Sequence, residues 1–455
     1  MINMAFLNQL AAARSDVEFT RTAAGLAALQ VYDSIKTNGF DPFVHHDALR
    51  RVEDDLSAVE TESNVRAALE TVAQMLPFWD SEGSVRVGRQ AVYTALLIYG
   101  QALGDEGEWT VAENVYSLVG MDAELDGETW YAAEARLLMG RASRMCADWE
   151  LSRIAYHRAY ELGMEVGDAS IALRARIGDA NNLWSRGDFP GANRLLNTTA
   201  RRARRSCPEV LPRVTLALAG VANAAGEYER AIHLAFDLLS SLGDNDELTY
   251  PTLVDLANFL TDYGLPPVAA AALRLVERAA PEARIRRHAK LNLLFLAAQH
   301  ESEEAFIQLR DELTVAQLTV REQTQFALFS ARGLRRFAHF DDAQAAVERA
   351  IALAKQYELF QLVFEAEAEL REIASARTEL KAATMPAPVP SRETHARATA
   401  TASATASATR ATAATRYRLT TGEKVPIRIR RIAESLESMA TERFAATELD
   451  LSFAL

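Results

Sequence analysis

"RGDFPGANRLL", residues 186–196, joins two runs whose apolar residues recur at helical intervals, and its arrangement returns along the chain. A glycine is followed by an acidic residue, an aromatic and, at Ala192, a small residue that opens a new apolar stripe. "GEWTVA" ends the same way at Ala112, "ADWELS" at Ser152 and "GEYERA" at Ala231. "GLPPVA" at Ala269, "ESEEA" at Ala305 and "HFDDA" at Ala343 are looser copies. The markers are 40, 40, 39, 38, 36 and 38 residues apart. A period this steady predicts a stack of like units rather than separate globular domains.

Each unit has the same physics. The run before the turn contains small residues, as at Gly100 and Gly140, that let two helices approach closely. The run after it ("ANRLLNTTA", "AIHLAFDLL", "AQAAVERAIALA") is apolar at steps of three and four, the pattern of an amphipathic helix. The turn glycine is suited to a left-handed ending of the first helix. The acid after it suits the start of the second, by capping and by the helix dipole. Trp109, Trp149, Phe189, Tyr228 and Phe340 stand where an aromatic covers the corner. Such a hairpin cannot bury its apolar face alone and must stack on the next.

On these turns the chain resembles the tetratricopeptide repeat family, in a variant with a period longer than the usual 34. The resemblance covers roughly residues 88–356 and implies an all-α, right-handed solenoid of helical hairpins whose first helices line a concave groove. It also implies a partner-binding scaffold rather than an enzyme. The copies at Ala269 and Ala305 depart from the glycine, acid and aromatic order, so different turns are expected there. The solenoid is expected to be curved and elongated.

Residues 17–37 and 45–76 read as helices, so 1–87 is expected to form an N-terminal helical cap ahead of an array over 88–356. Residues 357–384 read as a C-terminal capping helix. Residues 385–415 are Pro-rich and then almost purely Ala, Thr and Ser, the composition of a disordered linker. Residues 416–455 form a tail that is basic and then amphipathic. It ends in "ATELDLSFAL", where Glu448, Asp450 and the terminal carboxylate alternate with Leu449, Leu451, Phe453 and Leu455. An arginine-lined groove with apolar pockets would accept that chemistry, so self-association or autoinhibition through this motif is one expectation.

The chain has 49 basic and 62 acidic residues, net −13, which opposes binding to nucleic acid or to anionic membranes. No run is long and apolar enough to be read as a membrane span. Cys146 and Cys207 lack CxxC spacing and read as reduced thiols, which favours a cytoplasmic location. Phosphate-loop, dinucleotide, zinc-protease and serine-hydrolase motifs are missing from the sequence, so neither a cofactor nor a metal is expected. The arginines at 201, 202, 204 and 205 end a predicted helix, where cations complement the dipole.

Aligning the copies brings out one further feature. Positions 18, 15, 11 and 8 before each marker share a helical face. Eight of those 28 positions are basic, namely Arg141, Arg144, Arg174, Arg213, Arg287, Lys290, Arg332 and Arg335, and only Glu134 is acidic. Asn181, Asn223, Asn258 and Trp184 lie on the same face. One reading is that the cations neutralise carboxylates on neighbouring helices. The other is a groove for an acidic or phosphorylated peptide, with guanidinium groups pairing to carboxylates and amides holding the backbone. A bacterial regulatory or sensor protein is the alternative function, because related repeats form the sensor part of some bacterial transcription regulators. That reading requires a DNA-binding helix pair, and none is evident in the sequence.

Overall fold

The computed structural model describes residues 4–13, 16–57, 64–79, 85–243, 246–314, 318–357 and 359–384, together with Leu436. The described residues contain nineteen α-helices and no strand. The first four are α1 (Met4–Ala12), α2 (Asp16–Asn38), α3 (Pro42–Ser57) and α4 (Asn64–Met75). Next come α5 (Val85–Glu106), α6 (Trp109–Leu125), α7 (Thr129–Met145), α8 (Trp149–Val166), α9 (Ala169–Ser185) and α10 (Phe189–Ser206). They are followed by α11 (Leu211–Ala224), α12 (Tyr228–Leu239), α13 (Thr249–Tyr263), α14 (Pro266–Ala279) and α15 (Ala283–His300). The series ends with α16 (Glu303–Thr314), α17 (Val320–Arg336), α18 (Phe340–Gln356) and α19 (Phe360–Thr384). Consecutive helices pack against each other, and alternate helices also touch from α5 through α15 and from α15 to α19, as in a solenoid of stacked hairpins.

The turns explain the period and refine it. Positive φ recurs at Gly107, Gly127, Ala147, Gly167 and Gly187, twenty residues apart. In this stretch the turn between hairpins is therefore built like the turn within them. At Gly187 (φ 89°) the missing Cβ makes the left-handed ending free of strain. Ala147 (φ 60°) adopts the same conformation with a Cβ in place. The acid after the turn does two different things. Asp148, Asp168 and Asp188 cap their helices by accepting from Leu151, Ile171 and Gly191 N–H groups at 3.0, 3.1 and 2.9 Å. Glu108, Glu128 and Glu227 occupy the same position and make no side-chain cap.

Small residues are required where helices cross. Tyr156 is buried between α7 and α9, and a Cβ on Gly140 or Gly178 would stand 2.7 or 2.2 Å from its ring. Before the array, α2 pairs Arg21 with Glu106 and Glu108, and Lys36 with Asp122. The expected helix over 45–76 is two helices, α3 and α4.

The body is not the open, elongated crescent that periodicity suggests. Trp149, at the start of α8, is buried in the core built by α15 to α19. Its indole N–H donates to the Tyr357 carbonyl at 2.9 Å. Helix α5 meets α15, and Asp105 faces Arg284 at 3.6 Å. The stack thus curls until its early repeats touch its last ones, and the concave face becomes an interior.

Candidate functional site

The first helices of the hairpins, α7, α9, α11, α13, α15 and α17, carry the residues singled out in the sequence. Most of the cations there are neutralised. Arg174 makes a two-pronged pair with Glu134 at 3.0 and 3.1 Å. Arg213 pairs with Glu247. Arg332 lies 3.2 Å from Glu365, and Arg335 shares Glu369 with it. The copy ending at Ala305 is out of step, because only Glu301 and Ser302 separate α15 from α16, where three residues separate α9 from α10. There Lys290 turns toward α14 and α16 and meets Glu277 and Glu312 at 3.4 and 2.7 Å. Leu294 and Ala297, at the two later positions of that copy, are core residues.

Arg141 and Arg144 differ from these. Neither makes an ion pair with a described residue. Arg141 lies 5.4 Å from the Trp109 ring centroid, and burial and then the nearby Arg284 lower its guanidinium to about 10. Arg144 leaves Nε without a hydrogen-bond partner. Arg321 on α17 comes in from the opposite wall. It sits 5.1 Å over the Trp184 ring and is depressed by burial and then by Arg144. Arg287 is likewise lowered by burial, its nearest carboxylate being Glu322 at 3.7 Å, with Nε and Nη2 unbonded. A guanidinium keeps its proton at any physiological pH, so these shifts do not signal neutral arginines. They mark cations that burial and then neighbouring charges of the same sign disfavour, Arg141 and Arg321 without an ion pair to a described residue.

The amides share this inner wall unequally. Asn223 donates to Asp262 at 2.7 Å and leaves its own oxygen unbonded. Asn181 and Asn258 make no side-chain hydrogen bond to a described residue. Asp255, three residues before Asn258, is half-buried, and burial raises its carboxyl to about 7.

Arg321, Arg284 and His288 escaped the sequence reading. Arg321 and Arg284 lie one helical turn before the aligned positions, so extending the same stripe by four residues would have found them. His288, whose pKa burial lowers, follows Arg287 on the misaligned helix. Glu448, Leu449, Asp450, Leu451, Phe453 and Leu455 lie outside the described residues, as does the expected linker over 385–415. Among the described residues no group of three or more His, Cys, Asp or Glu could hold a metal ion. No described helix is long and apolar enough to cross a membrane.

No family model matches the sequence, and no match to a curated protein is found. Among solved structures, the chain is similar to the Rap conjugation gene regulator of the plasmid pLS20, at 14% identity and a TM-score of 0.42. That match covers 81% of this chain and 99% of the other. A Rap protein complexed with competence and sporulation factor matches at 14% identity and a TM-score of 0.42, over 78% and 99% of the two chains. The apo form of RapI matches at 12% and 0.38, over 80% and 100%.

Proposed function

We propose that this chain is a non-enzymatic adaptor that takes an acidic or phosphorylated peptide into the interior of its curled helical stack. The observation that carries the reading is the set of three cations, Arg141, Arg144 and Arg321, none of which forms an ion pair with a described residue and of which Arg144 lies close to the other two. Leaving charge uncompensated away from bulk water is unfavourable, and a bound carboxylate or phosphate relieves it. Trp109 and Trp184 hold two of the guanidinium groups by cation–π contact and so preset their planes. Asn181 and Asn258 supply amides of the kind that grip an extended backbone. Arg174, Arg213, Lys290, Arg332 and Arg335 are already paired and shape the wall instead.

The test is a synthetic array of decapeptides that are acidic, phosphoserine-containing, neutral or basic, probed with the full chain and with an Arg141→Glu, Arg144→Glu, Arg321→Glu variant. Selection of the first two classes by the native protein, lost in the variant at unchanged helix content, is the expected result. Equal capture of neutral peptides, or acidic binding that survives the triple change, would overturn the reading.

A further inference from the structure

Where the early repeats meet the late ones, cations gather in excess of the carboxylates beside them. Arg141 and Arg144 come from α7, Arg284, Arg287 and His288 from α15, and Arg321 from α17. Arg284 and Arg144 both lie close enough to Arg141 to disfavour its charge, and Arg144 does the same to Arg321. Arg284 and Arg321 in turn act on His288. Each group therefore neighbours the next in a closed circuit, Arg141, Arg144, Arg321, His288 and Arg284, drawn from both ends of the stack.

The carboxylates of this region are committed to one side of the circuit. Glu282 lies 3.1 Å and Asp105 3.6 Å from Arg284, and Glu322 lies 3.7 Å from Arg287. Glu365, the carboxylate that acts on Arg321, is 3.2 Å from Arg332. Arg141, Arg144 and Arg321 make no ion pair with a described residue. Hydrogen-bond donors are left over as well. The buried Nε atoms of Arg144, Arg284 and Arg287, and Nη2 of Arg287, have no hydrogen-bond partner among the described residues.

We infer that this circuit is a site for a phosphoryl dianion and, resting on the peptide reading above, that a phosphorylated side chain of the bound segment is what brings the group there. A carboxylate supplies one charge and two oxygens in a single plane. A phosphorylated side chain supplies about −1.5 to −2 and three strong acceptor oxygens. Three cations without an ion pair exceed what one carboxylate neutralises, and donors carried by three separate helices suit a tetrahedral set of oxygens better than a planar pair. Arg284 and Arg287 thereby gain a role beside Arg141, Arg144 and Arg321, because their free Nε donors need acceptors that Asp105 and Glu322, at 3.6 and 3.7 Å, do not supply.

Titration of the full chain tests this, using decapeptides identical but for a central phosphoserine, aspartate or serine, and inorganic phosphate against chloride at equal ionic strength. The phosphoserine peptide is expected to bind at least about tenfold tighter than the aspartate peptide, the gain from one or more added charge-assisted hydrogen bonds. Arg144→Lys keeps the charge and removes the fork, so that preference should be lost at unchanged helix content. Arg153→Gln, an exposed change in the Glu150 pair on α8, should leave it intact. Tighter binding of the phosphoserine peptide than of inorganic phosphate would assign the group to a peptide. Inorganic phosphate that binds while no decapeptide does would support the dianion site and overturn the peptide reading. Equal affinity for the phosphoserine and aspartate peptides would overturn the dianion site and leave an acidic-peptide groove standing. A phosphoserine preference that survives in Arg144→Lys, or that Arg153→Gln abolishes as well, would put the anion elsewhere and overturn the assignment.

Discussion

The Trp149 indole donates to the Tyr357 carbonyl at 2.9 Å across 208 residues of sequence, and this bond latches the second repeat to the last. With the Trp149 ring buried in the core of α15 to α19, the bond closes the stack so that Arg144 on α7 comes close to Arg321 on α17. Truncation to Trp149→Ala removes a core residue and should destabilise by about 3 kcal/mol. It should also enlarge the radius of gyration measured by small-angle scattering. Trp149→Phe keeps the ring and loses the bond, a change of about 1 kcal/mol with little effect on size. A native protein already as extended as Trp149→Ala would remove the latch from the account.

Tyr156 offers a sharper test of packing. Its ring fills the space left by Gly140 and Gly178, on helices to either side. Gly178→Ala would improve helix propensity by about 1 kcal/mol in an exposed helix. Here the added Cβ would stand 2.2 Å from the Tyr156 ring, and Gly178 is backbone-fixed in mid-helix. Overpacking of this kind costs about 1–3 kcal/mol, so the net expectation is a lower melting temperature. Recovery in a Gly178→Ala, Tyr156→Leu double variant would show that the ring is the cause, and a stabilised single variant would contradict the packing.

The turns and the hairpin stack were legible in the sequence because they are local. Gly187, Asp188 and Ala192 determine a helix ending, a cap and a close crossing within seven residues. The twenty-residue spacing of left-handed turns was hidden at Ala147, where alanine holds the conformation that glycine marks elsewhere. The cationic stripe was also legible, since alignment placed eight bases on one face. Their pairing was not. Glu247, Glu365 and Glu369, which neutralise Arg213, Arg332 and Arg335, come from the next repeat's first helix or the residues just before it. The meeting of Arg144 with Arg321 depends on curvature accumulated over five repeats, which a single-repeat pattern does not encode.

Asp255 predicts a pH dependence. Burial raises its folded-state pKa to about 7, above the ordinary carboxylate value near 4. Between those values the folded state binds the proton more tightly than the unfolded state, so this group lowers stability as pH rises through the window. Asp255→Asn removes the titration and keeps the shape. Its melting temperature should therefore match the native protein near pH 4.5 and exceed it increasingly toward pH 8. A difference that stays constant across the window would exclude Asp255 as the titrating group.

The uncompensated cations make a prediction that separates a binding site from ordinary surface charge. Exposed substitutions usually change stability by within about 0.5 kcal/mol, and removing a partnered arginine destabilises by breaking its pair. Arg144 has no carboxylate partner, and its neighbours Arg141 and Arg321 carry the same charge. Arg144→Met keeps most of the aliphatic stem and deletes the repulsion. It should raise the unfolding free energy of the unliganded protein by about 0.5–2 kcal/mol, the range seen when a site held for function is relieved. Salt provides the internal control, because screening acts over about 8 Å at physiological ionic strength. Added salt should stabilise the native protein more than Arg144→Met, and the two should converge. The same variant should lose affinity for acidic decapeptides, so that stability and binding move in opposite directions. An Arg144→Met protein that is destabilised would mean that Arg144 already has a counter-charge, and the interior would then hold no vacancy for an anionic peptide.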